Sequence, residues 1–102
     1  MAYERIMGLE VMDEQMYQQY RDAMMPILIS YGGCFGFDFK VSETLKSKYK
    51  KPINRVFTID FPSKSAMESF FTDPAYLEVK HAYFEKSVKS VTVISLHEKA
   101  GD

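Results

Sequence analysis

Residues 58–71, TIDFPSKSAMESFF, change hydrophobic period halfway through. Thr58 to Phe61 alternate as a strand does; Pro62 and Ser63 intervene; Ala66, Met67, Phe70 and Phe71 then recur at helical spacing. Pro62 ends strand pairing, and Ser63 is placed to cap the exposed amides of the following helix. No G-x-S-x-G elbow surrounds Ser63, so the joint reads as structural and not as a nucleophile's seat.

Reading backwards, Arg55–Phe61 forms a strand with Phe57, Ile59 and Phe61 on one side. Before it, the polar segment Ser42–Pro52 is longer than an ordinary hairpin loop. In CFGFDFKV, residues 34–41, alternation puts Phe35, Phe37, Phe39 and Val41 on one face and Cys34, Gly36, Asp38 and Lys40 on the other. Upstream, Met16, Tyr17, Tyr20, Ala23, Met24, Ile27, Leu28 and Tyr31 step by three and four along a helix capped by Asp13 and stopped at Gly32-Gly33. Pro26, inside that helix, predicts a kink or a division. Tyr3–Met12 precedes it as a strand.

Reading forwards, the second helix is interrupted at Asp73-Pro74, where Asp73 can cap a continuation begun by Pro74. Val88–Leu96 is the last strand, with valines on one side and Ile94 and Leu96 on the other. The order strand, helix, strand, strand, helix, strand predicts an α+β, ferredoxin-like βαββαβ fold: a four-stranded antiparallel sheet with both helices on one face. The bare face is only partly polar, which predicts a second copy covering it.

Composition agrees with one domain over residues 1–102. Eight Phe, 7 Tyr and 46% hydrophobic residues supply a core. A net charge of -1 argues against nucleic acid as a partner, and KSKYKK, residues 46–51, reads as a solvated loop. No segment reaches the ~20 apolar residues of a membrane helix, no signal peptide is evident, and the lone Cys34 forms no internal disulfide, so a cytoplasmic location is expected. His81 and His97 lack metal-ligand spacing, and neither a metal nor a cofactor is implied. Cys34, with no base evident near it, reads as a strand start; the methionines read as adaptable core.

The segments D…Y..Y at Asp13, Tyr17 and Tyr20, YGG at 31–33, RVFTIDFPS at 55–63 and DPAY at 73–76 together resemble the bacterial domain-of-unknown-function 1330 family over nearly the whole chain. That family is similar to the dimeric α/β-barrel superfamily, in which two ferredoxin-like sheets pack face to face, so the resemblance implies a homodimer. It supplies no activity, since superfamily relatives include cofactor-free monooxygenases, isomerases, lyases and haem-handling proteins. The chain departs from the family where Cys34 follows YGG and where Tyr83 stands seven residues beyond Tyr76, positions at which arginine is usual; Arg55 is retained.

The candidate ligand residues are Tyr17, Tyr20 and Tyr76, expected between helices and sheet, and Arg55, whose guanidinium can reach a cavity rim and pair with a ligand's carboxylate or the protein's own. His81, four after Leu77 and three before Phe84, is the outside candidate for acid-base catalysis, the plain alternative being an exposed helix residue. Two readings follow. One is a small dimeric protein binding an apolar or aromatic molecule between helices and sheet, with cofactor-independent proton-transfer or oxidation chemistry. The other is a non-catalytic dimeric module whose aromatics only fill the core.

Overall fold

The computed structural model describes residues 2–99; Met1 and residues 100–102, which the single-domain expectation also includes, lie outside the described residues. The elements are β1 (Ala2–Val11), α1 (Glu14–Ser30), β2 (Cys34–Lys40), β3 (Arg55–Phe61), α2 (Lys64–Thr72), α3 (Pro74–Val79), a π-helical segment (Lys80–Phe84), α4 (Glu85–Ser87) and β4 (Val88–Lys99). The strands form one antiparallel sheet in the order β2-β3-β1-β4. Strand β4 carries on through His97 to Lys99.

The helix boundaries follow from short polar side chains. Asp13 accepts from the Met16 amide at 3.0 Å and Ser63 from the Ala66 amide at 3.0 Å. Asp73 accepts from Ala75 at 2.7 Å while Pro74 opens α3. Gly32, at φ +75, takes the left-handed turn that closes α1. Pro26 does not divide α1, which runs unbroken from Glu14 to Ser30; packing of Tyr17, Tyr20, Met24 and Leu28 on the sheet outweighs one missing backbone donor. The Tyr31 hydroxyl donates to Asp73 Oδ2 at 2.5 Å, tying the end of α1 to the α2–α3 joint.

Strand β3 keeps a strict alternation: Arg55, Phe57, Ile59 and Phe61 are buried toward the helices and Val56, Thr58 and Asp60 are half-buried on the other face. Met7 and Leu9 of β1 lie opposite Phe57 and Arg55 and complete that core face.

The alternation expected for β2 fails. Phe35 pairs with Ile59 but Asp38 with Phe57, three steps along β2 against two along β3, so one residue is extra. The bulge is accommodated at Gly36, where a Cβ would stand 2.5 Å from Thr58 Oγ1, and the Phe37 amide donates to that hydroxyl at 2.9 Å. Asp38 therefore joins Phe35 on the helix-facing side. Phe37 and Phe39 stack at 6.1 Å on the opposite face, 64% and 55% exposed.

A second irregularity corrects β4. Ser95 pairs with Ile6 and Val93 with Met7, leaving Ile94 extra, so Leu96 lies opposite Arg5 on the same face as Val91 and Val93. On the other face Thr92, Ser95 and His97 stand opposite Gly8, Ile6 and Glu4. His97 Nε2 lies 2.9 Å from Glu4 Oε1, and Lys99 reaches Asp60 at 3.3 Å. Part of this face is crossed by residues 41–54: Ile53 lies against Gly8, and Lys51 Nζ donates to the Val91 carbonyl at 3.1 Å. The segment is pinned by Thr44, whose hydroxyl donates to the Ile53 carbonyl at 2.8 Å and accepts from its amide at 2.9 Å.

Candidate functional site

Between the helices and the sheet lies a cavity of about 280 Å³, close to the lower end of the ~300–1,000 Å³ range of small-molecule sites. Its walls are mostly apolar, with Met7 and Leu9 from β1, Phe57 from β3 and Phe71 from α2 among them. Four polar side chains also line it: Arg5, Tyr20, Tyr76 and Lys80.

Strand β1 delivers Arg5, in phase with Met7 and Leu9. Helix α1 delivers Tyr20, and Pro74 with its Asp73 cap starts α3 so that Tyr76 falls on the buried side. The two tyrosine hydroxyls are 2.9 Å apart. Burial, reinforced by its neighbour Tyr76, pushes the Tyr20 phenol well above its ordinary pKa. Tyr76 is also raised by burial, with its hydrogen bond to Tyr20 opposing the shift. At neutral pH both are uncharged; one hydroxyl donates to the other, and the second proton of the pair can be donated to another oxygen.

The π-helical segment supplies Lys80 and Phe84, four residues apart. Its extra residue per turn breaks the phase of α3, and such segments recur at functional sites. The His81 side chain is 82% exposed and faces away from the core; its Nδ1 lies 2.9 Å from Glu85 Oε1.

Of the five residues singled out from the sequence, the cavity brings together Tyr20 and Tyr76; Tyr17, Arg55 and His81 are not among its lining residues. Tyr17 is fully buried, and its hydroxyl accepts from Arg21 Nε at 2.9 Å. Arg55 meets the protein's own carboxylate: its Nε and Nη2 donate to Asp38 Oδ1 and Oδ2, each at 2.8 Å. Asp38 also takes Arg21 Nη2 at 3.3 Å, and Glu14 stands 3.7 Å from Arg55 Nη1. Desolvation acts to raise the Asp38 carboxyl, but the hydrogen bonds from Arg55 and the two guanidinium charges outweigh it and hold its pKa below the ordinary value. The same hydrogen bonds raise Arg55.

Arg5 and Lys80 carry the cavity's charge, and the sequence reading passed over both. The signal for Arg5 was its phase with the core residues of β1. The signal for Lys80 was its place four residues after Tyr76 and four before Phe84, the helical step that keeps side chains on one face. Cys34 is exposed, and no cluster of metal-ligating residues occurs among the described residues. No described helix is long and apolar enough to cross a membrane.

Solved structures share this fold. A protein of unknown function from Rhodopseudomonas palustris superposes with a TM-score of 0.81 at 15% identity, covering 99% of this chain and 84% of that one. A dabb family protein with a ferredoxin-like fold from Mesorhizobium loti gives 0.69 at 11% identity, covering 98% of both chains. A dimeric protein of unknown function with a ferredoxin-like fold from Bacteroides fragilis gives 0.60 at 10% identity, covering 96% of both. At these identities the likeness is one of fold. No curated protein matches the sequence. The family model of the domain of unknown function DUF1330 matches residues 2–96, and the chain belongs to that family.

Proposed function

We propose that this protein is a homodimer that binds an apolar or aromatic small molecule in the cavity between helices and sheet, with Tyr20 and Tyr76 orienting it. The observation that carries this reading is the tyrosine pair: two hydroxyls 2.9 Å apart in a mostly apolar cavity. A module with a filled interior has no use for such a space, so the cavity favours binding over the purely structural alternative. Neutral phenols can polarise or protonate a ligand oxygen, which is the part of cofactor-independent proton-transfer or oxidation chemistry that these residues can supply. The reading gives Arg55 and Tyr17 the task of holding α1 on the sheet, and it assigns no step to His81.

Dimerisation is supported by the stacked, exposed Phe37 and Phe39 on the face away from the helices, and by the dimeric state of the Bacteroides fragilis protein of like fold.

The binding reading is tested by thermal shift with phenols, quinones and small aromatic carboxylates. A ligand that binds only the folded chain raises Tm, and Tyr20→Phe lowers the effect. No shift from any member of the panel overturns it.

A further inference from the structure

We propose that the molecule taken by this cavity is a hydrophobic monoanion, an ionised aromatic carboxylic acid, whose carboxylate is held by Arg5. The inference rests on the binding reading above and adds the charge of the ligand.

The chain has three arginines, and all are at least half-buried. Arg21 and Arg55 share the carboxylate of Asp38. Arg5 has no hydrogen bond or ion pair among the described residues, and its Nε is buried without an acceptor. Its Cζ lies 4.3 Å over the Phe71 ring. That cation–π contact uses a face of the guanidinium, whereas the N–H groups point along its edges and still need acceptors. A desolvated charge without a counterion is costly, and an anion entering the cavity would offset that cost. Burial lowers the Arg5 pKa, consistent with that unmet demand, while Tyr76 and Tyr20 oppose the shift.

The other polar groups agree in sign. Lys80 is a second cation on the wall, and no lining residue is acidic. The Tyr20–Tyr76 pair retains one hydroxyl proton that can be donated to a carboxylate oxygen. A guanidinium edge matches the two oxygens of a carboxylate. The apolar remainder of a cavity of about 280 Å³ suits a ring system of modest size.

The test is calorimetric titration of the full chain at pH 7 with benzoate, phenylacetate and 2-naphthoate, each against its amide. The amides keep the shape and lose the charge. At least one acid is expected to bind roughly 10- to 100-fold more tightly than its amide, the range for hydrogen bonds to a charged group. Arg5→Gln should abolish that preference with the circular dichroism spectrum unchanged. Should Arg5→Gln fail to fold, the acid-to-amide ratio of the wild type and its reduction in Arg5→Lys decide the matter. Equal affinity for acids and amides overturns the anion assignment and leaves the binding reading standing. Undiminished preference in a folded Arg5→Gln chain overturns Arg5 as the anchor. Binding by none of the six overturns the anion assignment, and the binding reading falls with it only if phenols and quinones also give no thermal shift.

Discussion

Arg55 grips Asp38 with two parallel hydrogen bonds of 2.8 Å, although the plain alternation of β2 would put the two side chains on opposite faces of the sheet. The bulge at Gly36 makes the pairing possible, and Arg21 from α1 joins it. Asp38→Asn keeps the size and removes the charge, taking from Arg21 its carboxylate and leaving Arg55 only the more exposed Glu14. Because Asp38 is one-third exposed, a loss of about 1–2 kcal/mol is expected in urea unfolding at pH 7. The folded pKa of Asp38 lies below its unfolded value, so its contribution is present above about pH 4 and is lost as pH falls through the folded pKa. The gap between wild type and Asp38→Asn should therefore narrow at low pH. A gap that stays constant would show that charge is not the cause.

The tyrosine pair makes the opposite prediction at high pH. The Tyr20 and Tyr76 phenols are raised in the folded chain, so their contribution is complete below the unfolded pKa of about 10 and declines as pH rises through the folded values. Tyr20→Phe should lose about 1 kcal/mol at pH 7, since the Tyr76 hydroxyl loses its partner. The variant should also lose less stability than wild type between pH 9 and 11. Absorbance at the phenolate band, followed with chemical denaturation, reads both. Parallel alkaline profiles for the two proteins would contradict the assignment.

Gly36→Ala tests the bulge. The added methyl would stand 2.5 Å from Thr58 Oγ1, the atom that accepts from the Phe37 amide. A destabilisation of about 1–3 kcal/mol is expected, as for other overpacking substitutions. Gly36→Ala combined with Thr58→Ala, which removes the obstructing hydroxyl, should be less than additive. Strict additivity by thermal unfolding would argue that the two positions do not meet.

Phe37→Ser with Phe39→Ser tests the dimer. Each phenylalanine is worth about 1.5–3 kcal/mol when it passes from water to an apolar contact. Wild type is expected to sediment as a dimer at micromolar concentration, and the double variant should dissociate with its circular dichroism intact. A monomeric wild type would remove the dimer from the proposed function.

Much of the fold was legible in the chain because its signals are local. The Asp13, Ser63 and Asp73 caps, the stop at Gly32 and the alternation of β3 each depend on residues within a turn or a strand of one another. The cavity was half legible: Tyr20 and Tyr76 follow from helical phase, and Arg5 stood in phase with Met7 unremarked.

Periodicity alone set the order of strands and helices and the side of each helix that is buried. The faces of Phe37, Asp38 and Leu96 belonged to the assembled sheet, since one extra residue in a ladder exchanges inside for outside and only the partner strand reveals it. The partners of the arginines were decided in the same way. A side chain's charge is written in the sequence, but whether it meets Asp38 or faces an apolar cavity depends on residues 17 and more positions away, brought near by packing.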